Sequence, residues 1–210
     1  MRFGVLGPLV AADERGEVGL KGPRHRAVLA RLLIARGRVV PVERLVDDLW
    51  ERPPEGAVGA VQTFVGALRR ALEPDRAPRA PARLLVTVAG GYALRAESVD
   101  AWEFEAAVTA ARELIDAHRP DAALSQVDSA LALWRGPAYA EFAEEGWARG
   151  EVSRLTELRL QARELRAEAL LAVGRVSEAI PDLEAQVREH PLRENGSRLL
   201  ALTLYRSGRQ

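Results

Sequence analysis

The stretch Ala57-Val58-Gly59-Ala60-Val61-Gln62-Thr63-Phe64-Val65-Gly66-Ala67-Leu68-Arg69-Arg70-Ala71-Leu72 divides into two faces when wound at 100° per residue. Val61, Val65, Leu68 and Leu72 share one face, with Phe64 at its edge. Gly59, Thr63, Gly66 and Arg70 lie opposite, and Gln62 and Arg69 occupy the flank. The apolar stripe predicts a helix over 57–72 that packs on a core. Upstream, Pro23 suits an early helical position, and Val28, Leu29, Leu32 and Leu33 form a second helical stripe that ends at Arg36-Gly37-Arg38. Val42 to Trp50 reads as a short helix with Leu45, Val46 and Leu49 inward, stopped by Pro53-Pro54. Before these come the apolar runs Arg2–Leu6, Leu9–Ala12 and Glu17–Leu20, broken by Gly7-Pro8 and Asp13-Glu14-Arg15-Gly16. Turn residues between short apolar runs predict a small antiparallel sheet. Downstream, Arg76 to Arg83 is a Pro/Arg/Ala loop carrying Arg76, Arg79 and Arg83. Leu84–Val88 and Tyr92–Leu94, around Gly90-Gly91, then predict a β-hairpin.

Sheet, three helices and hairpin, in that order, make the plan of a winged helix. Residues 57–72 take the place of the recognition helix and the hairpin that of the wing. Bulky residues would hold a helix away from base edges, whereas Gln, Thr and Arg contact bases or phosphates, so the outer face suits a major groove. The same face also fits an ordinary solvated helix surface. Ala89-Gly90-Gly91-Tyr92 is not a phosphate loop, because the Lys-Ser/Thr and the following helix are missing.

After Asp100 the pattern is helical. Asp100 with Glu103 fits a capping-box-like start for a helix carrying Trp102, Ala106 and Ala110, broken at His118-Arg119-Pro120-Asp121. Ala122 to Trp134 is a second helix, stopped by Gly136-Pro137, and 138–146 read as an irregular, Glu-rich crossing. Trp147 to Val173, Ser177 to Glu189 and Arg193 to Tyr205 are three more helices. Asp121-Ala122-Ala123-Leu124 and Glu178-Ala179-Ile180-Pro181 repeat a theme of small alanines at helix crossings, as in tetratricopeptide (TPR) pairs. Ala123 and Ala179 stand 56 residues apart, so the array is irregular, and a simple helical bundle is the alternative.

Composition narrows the function. No cysteine is present, which excludes disulfides, thiolate metal sites and thiol catalysis. His25, His118 and His190 are scattered, so neither a metal nor another cofactor is expected. No apolar run reaches the ~18 residues that span a bilayer. Phe3 to Ala12 is apolar and Val10-Ala11-Ala12 looks like a signal-peptidase site, but Gly4, Gly7 and Pro8 interrupt it and short strands fit better. The expected location is the cytoplasm. The net charge of zero hides an asymmetry: residues 1–96 hold 16 basic against 10 acidic side chains, and residues 97–210 hold 14 against 20. A basic half points to a polyanion and an acidic half to a different partner, chance drift being the plainer account. Adjacent carboxylates such as Asp47-Asp48 and Glu144-Glu145 diverge on a helix, and the serines lack His and Asp at a triad's spacing, so an enzyme is not expected.

The chain resembles the actinobacterial antibiotic-regulatory-protein (SARP) family of transcriptional activators. Gly22-Pro23-Arg24-His25-Arg26-Ala27-Val28-Leu29-Ala30 is similar to the family's first helix, and Arg44-Leu45-Val46-Asp47-Asp48-Leu49-Trp50 with Pro53-Pro54 to its second. Leu68-Arg69-Arg70-Ala71-Leu72 and Gly90-Gly91-Tyr92 match the end of the recognition helix and the wing. Leu131-Ala132-Leu133-Trp134-Arg135-Gly136-Pro137, Glu189-His190-Pro191-Leu192-Arg193-Glu194 and Leu204-Tyr205-Arg206-Ser207-Gly208-Arg209-Gln210 resemble the bacterial transcriptional activation domain. The fold this implies is mainly α: an OmpR-type winged-helix DNA-binding domain over 1–96 with a small sheet and wing hairpin (α+β), then an all-α TPR-like activation domain over 97–210 that in the family continues further. The function it implies is binding of double-stranded DNA at promoter direct repeats by tandem head-to-tail subunits, with recruitment of RNA polymerase.

The DNA-binding residues expected are Arg24, Arg26 and Arg83 on phosphates, Gln62, Thr63 and Arg70 toward bases, Arg69 flanking the backbone and Gly91 in the wing. Two departures bear on this. Family members often carry hydroxyl, amide and Arg side chains where this helix has Gly59, Ala60, Gly66 and Ala67, and glycine in a helix costs about 1 kcal/mol against alanine. The chain also stops where the family runs on into another helix. Two other readings stay open: a TPR-like interaction or sensor module whose winged helix binds DNA poorly, and the N-terminal part of a larger multidomain regulator. Trp50, Trp102, Trp134 and Trp147 lie in apolar helical contexts and are expected in cores rather than stacked on bases.

Overall fold

The element order is β1 (Arg2–Gly4), β2 (Val10–Asp13), β3 (Gly16–Glu17), α1 (Pro23–Ile34), β4 (Val40–Pro41), α2 (Val42–Leu49), α3 (Ala57–Leu72), β5 (Leu85–Val88), β6 (Gly91–Leu94), β7 (Ser98–Val99), α4 (Asp100–Asp116), α5 (Pro120–Leu131), α6 (Gly146–Ala172), α7 (Val176–Glu189) and α8 (Glu194–Arg206). This computed structural model describes residues 1–77 and 79–208. Pro78, in the expected Arg76–Arg83 loop, and Arg209-Gln210, which close the Leu204–Gln210 motif, lie outside the described residues. By its contacts the chain divides into one unit of Met1–Ala101 with Arg135–Ser153 and another of Trp102–Trp134 with Arg154–Gln210.

In the first unit, β1 pairs antiparallel with β2 (Phe3 opposite Ala11), and β2 with β3. The sheet is not wholly antiparallel: β7 lies parallel to β1, with Phe3 opposite Val99, giving the order β3-β2-β1-β7. Two residues are too few to show a period, so the sequence carried no sign of β7. The second sheet is the expected hairpin of β5 and β6 (Thr87 opposite Tyr92), extended by β4, whose Val40 pairs with Tyr92. Its turn is Ala89-Gly90, with Gly90 at φ 78, a left-handed conformation that glycine adopts without steric cost. Gly91 already belongs to β6, and the Gly90 carbonyl accepts the first amide of α2 from Val42 at 3.1 Å.

The apolar faces of α1 and α3 meet, burying Val28, Leu29, Leu32 and Leu33 with Val61, Val65, Leu68 and Leu72. Each such side chain contributes about 1.5–3 kcal/mol when fully buried. Asp48, expected to face solvent, instead accepts from Arg31 at 2.6 Å and Arg44 at 3.1 Å, joining α2 to α1. Residues 135–153 close the unit. The amides of Arg135, Tyr139 and Ala140 donate to the carbonyls of Leu6, Val5 and Gly7, and the Asp100 carboxylate accepts the amides of Val5 and Leu6. The backbone of the Gly7-Pro8 region is thus hydrogen-bonded although it belongs to no strand.

The second unit is entirely helical among its described residues and is built around α6. Arg166 of α6 pairs with Asp128 of α5 and Asp182 of α7, and Arg154 of α6 with Glu105 of α4. The carboxylate of Glu164 is buried, at 4% exposure, and accepts from Gln186 of α7 and from Arg193 and Asn195 at the head of α8. A buried charge is tolerable only when paired in this way. Trp134 packs edge-on against Phe104 at 5.4 Å, with the Arg159 guanidinium 4.4 Å from its ring, and all four tryptophans are half-buried.

The glycines separate into two kinds. A Cβ on Gly91 would overlap the carbonyl of Val40, so Gly91→Ala is expected to destabilise the first unit by about 1–3 kcal/mol. A Cβ on Gly59 or Gly66 would meet nothing within 4 Å, so Gly59→Ala and Gly66→Ala are each expected to stabilise it by up to about 1 kcal/mol. Thermal unfolding of the three variants measures both signs.

Candidate nucleic-acid interface

With its apolar stripe on α1, α3 presents the opposite face outward. Gln62, Thr63 and Arg70 are all exposed there. The Thr63 hydroxyl donates to its own helix, at the Gly59 carbonyl, 2.9 Å away. Arg70 stands at the edge of a recess of about 180 Å³ bordered by Lys21, His25, Ala67 and Ala71. His25, half-buried, lies 4.8 Å from the Phe64 ring, and Phe64 in turn stacks on Trp50 at 6.2 Å.

The remaining expected residues are engaged within the unit to different degrees. Arg69 turns to the hairpin: its Nε donates to the Leu85 carbonyl and its Nη2 to the Thr87 hydroxyl, both at 2.8 Å, and its guanidinium lies 5.7 Å from the Tyr92 ring. It therefore fastens the wing to α3. Arg24 is exposed but donates to the Leu49 carbonyl at 2.8 Å and lies over Trp50 at 4.4 Å. Arg26 is half-buried, forked onto both Glu141 oxygens at 2.5 Å and donating to the Leu9 carbonyl at 2.6 Å. Arg83 is exposed, and its backbone amide donates to Glu73. Gly91 is buried under β4. The structure thus brings Gln62, Thr63 and Arg70 onto one open face and ties Arg69, Arg24 and Arg26 into the fold. Val58, in the first turn of α3, is 45% exposed. On the helix wheel it lies between the buried Val65 and the flank of Gln62 and Arg69.

Charge is redistributed by residues 135–153. Glu141 meets Arg26 and Glu151 meets Arg36, so part of the positive charge of the first 96 residues is neutralised inside the unit. The Arg26 guanidinium, with the Leu9 amide, holds the Glu141 carboxyl below the usual carboxylate range against the opposing effect of burial, and Glu141 raises Arg26. Among the described residues no group of three or more His, Asp or Glu side chains is placed to hold a metal ion, and no helix is long and apolar enough to cross a membrane.

Residues 99–210 match the family described as bacterial transcriptional activator domain, and residues 16–94 match that described as transcriptional regulatory protein, C terminal. The chain is 34% identical to regulatory protein DnrI of Streptomyces peucetius over all of its own length and 79% of DnrI's. It belongs to the antibiotic-regulatory-protein family of transcriptional regulators. Regulatory protein AfsR of Streptomyces coelicolor is 38% identical over the whole chain, but the chain spans only 21% of AfsR. Among solved structures, Mycobacterium tuberculosis EmbR in complex with a low-affinity phosphopeptide aligns with a TM-score of 0.91 at 35% identity, covering 99% of this chain and 55% of EmbR. The architecture expected from the sequence, mainly helical with a winged helix first and an all-helical part after it, is the one this family has.

The Arg26–Glu141 pair gives a pH test. A carboxyl with a lowered pKa in the folded state contributes stability that is present above its unfolded pKa of about 4.3 and is lost as pH falls through the folded value. Because Glu141 is exposed and solvent screens the pair, Glu141→Gln is expected to cost at most about 1 kcal/mol at neutral pH and to flatten the acid limb of the stability curve below about pH 4. Chemical denaturation from pH 7 down to pH 3 measures it.

Proposed function

We propose that the chain is a sequence-specific DNA-binding transcriptional activator of a secondary-metabolite pathway, working in the cytoplasm without a catalytic role. It binds promoter direct repeats as tandem subunits and recruits RNA polymerase. The observation that carries this reading is the open face of α3, with Gln62, Thr63 and Arg70 exposed while the neighbouring Arg69 is drawn off to hold the wing. In this reading α3 enters a major groove with Gln62, Thr63 and Arg70 toward base edges, where a bidentate contact discriminates by about 1–3 kcal/mol. Arg83 and Arg24 contact phosphates at the two ends of the footprint. Arg26 acts by fixing Leu9 and residues 141 onward, and Gly91 by letting the wing close on β4. The family's direct repeats and polymerase contact supply the rest of the proposal. The domain division at 96/97 belongs to it as well, with residues 97–101 and 135–153 of the second part folding into the unit that carries α3.

A second reading has its own observation. Gly59 and Gly66 leave two positions of the outer face without a side chain, and Arg24 and Arg26 are already engaged, which favours an interaction module that holds DNA weakly. Selection of duplexes from a random library, followed by anisotropy titration of the winners across salt, separates the two. The activator reading expects a repeated motif and a salt slope of about −0.9 per phosphate contacted. Arg70→Ala is expected to weaken that motif about 5- to 150-fold, the equivalent of 1–3 kcal/mol. No enriched motif, with weak binding throughout, would overturn it in favour of the module.

A further inference from the structure

The first turn of α3 contains an apolar side chain that folding does not use. Val58 is the second residue of the helix and is 45% exposed, while its neighbours Ala57 and Val61 are buried. Valine is a poorer helix former than alanine, and the Gly59 that follows it is poorer still. Neither the core nor helix propensity accounts for this pair. The helix start offers no other explanation, since Gly56 in a left-handed conformation precedes it without a side-chain cap. At 100° per residue Val58, Arg69 and Gln62 fall within about 40° of one another, so Val58 lies on the flank beside Gln62, between the buried stripe and the outer face that carries Thr63 and Arg70.

In the major groove the base pairs present hydrogen-bonding groups and one apolar group, the C5 methyl of thymine. The N-terminal residues of a recognition helix are those that reach base edges. We infer that Val58 is a specificity-determining residue that packs on a thymine methyl within each bound repeat. The bare Gly59 beside it lets the backbone come close enough for that short side chain to make contact, because a Cβ there would project into open space. This inference rests on the proposed reading of α3 as a major-groove helix.

Replacing thymine by deoxyuridine removes the methyl and leaves pairing and the O4 acceptor intact. The test therefore uses the duplex selected by the purified chain, with each thymine changed to deoxyuridine in turn, titrated with the unaltered chain, Val58→Ala and Arg70→Ala. The unaltered chain is expected to lose about fourfold in affinity at one thymine per repeat, the value of one buried methyl group. Val58→Ala is expected to bind the thymine duplex about fourfold more weakly and to show no difference between thymine and deoxyuridine there. Arg70→Ala is expected to bind more weakly while keeping that difference. Because Val58 is exposed, its replacement by alanine leaves the fold in place, which a thermal melt checks. If no deoxyuridine position weakens the unaltered chain, or if Val58→Ala keeps the full penalty, the inference is overturned while the DNA-binding reading stands. If the chain selects no motif at all, the reading of α3 falls and the inference with it.

Discussion

The interlocking of the apolar stripes of α1 and α3 is the contact on which everything else in the first unit depends. Val28, Leu29, Leu32 and Leu33 against Val61, Val65, Leu68 and Leu72 fix the rotation of α3 about its axis. A turn of 100° in one sense would bury Gln62 and Arg69, at a cost of several kcal/mol if they were left without partners. The outer face of α3 is therefore a consequence of its inner face. Arg69 extends the same constraint to the hairpin, with Leu85 and Thr87 as its acceptors.

Residues 135–153 change the electrostatic picture that the charge distribution along the chain presents. A strongly basic first half followed by an acidic second half describes the order of residues but not their placement. Tyr139 donates its amide to Val5 and Glu141 takes up Arg26 and the Leu9 amide, so an acidic segment is built into the basic unit. Other exposed basic side chains of the unit, Lys21, Arg24, Arg52, Arg70, Arg83 and Arg95 among them, are spread over several elements. Charge spread in this way attracts a polyanion without reading its sequence, and specificity then falls to close contacts.

Much of this was legible in the sequence because it is carried by periodicity and punctuation. The stripe over 57–72, the stop at Pro53-Pro54 and the hairpin around Gly90 all act locally, and the elements formed where those signals lie. What was not legible acts at a distance. Strands β4 and β7 are two residues each and exist only because β6 and β1 offer an edge. Asp48 reads as one of two solvated carboxylates until α1 brings Arg31 beside it. Arg26 reads as a phosphate ligand in a basic helix until Glu141, 115 residues later, meets it. At the candidate site, periodicity indicated that Gln62, Thr63 and Arg70 would be exposed, whereas the exposure of Val58, about 20° from the buried Val65 on the helix wheel, was not legible.

The most direct test of the major-groove role of α3 is chemical interference on the selected duplex, with guanine N7 methylated in the major groove and adenine N3 in the minor groove. The account predicts that guanine methylation inside each repeat blocks binding, since α3 occupies the major groove there. Loss of binding caused only by adenine N3 methylation, or by neither modification, would contradict it.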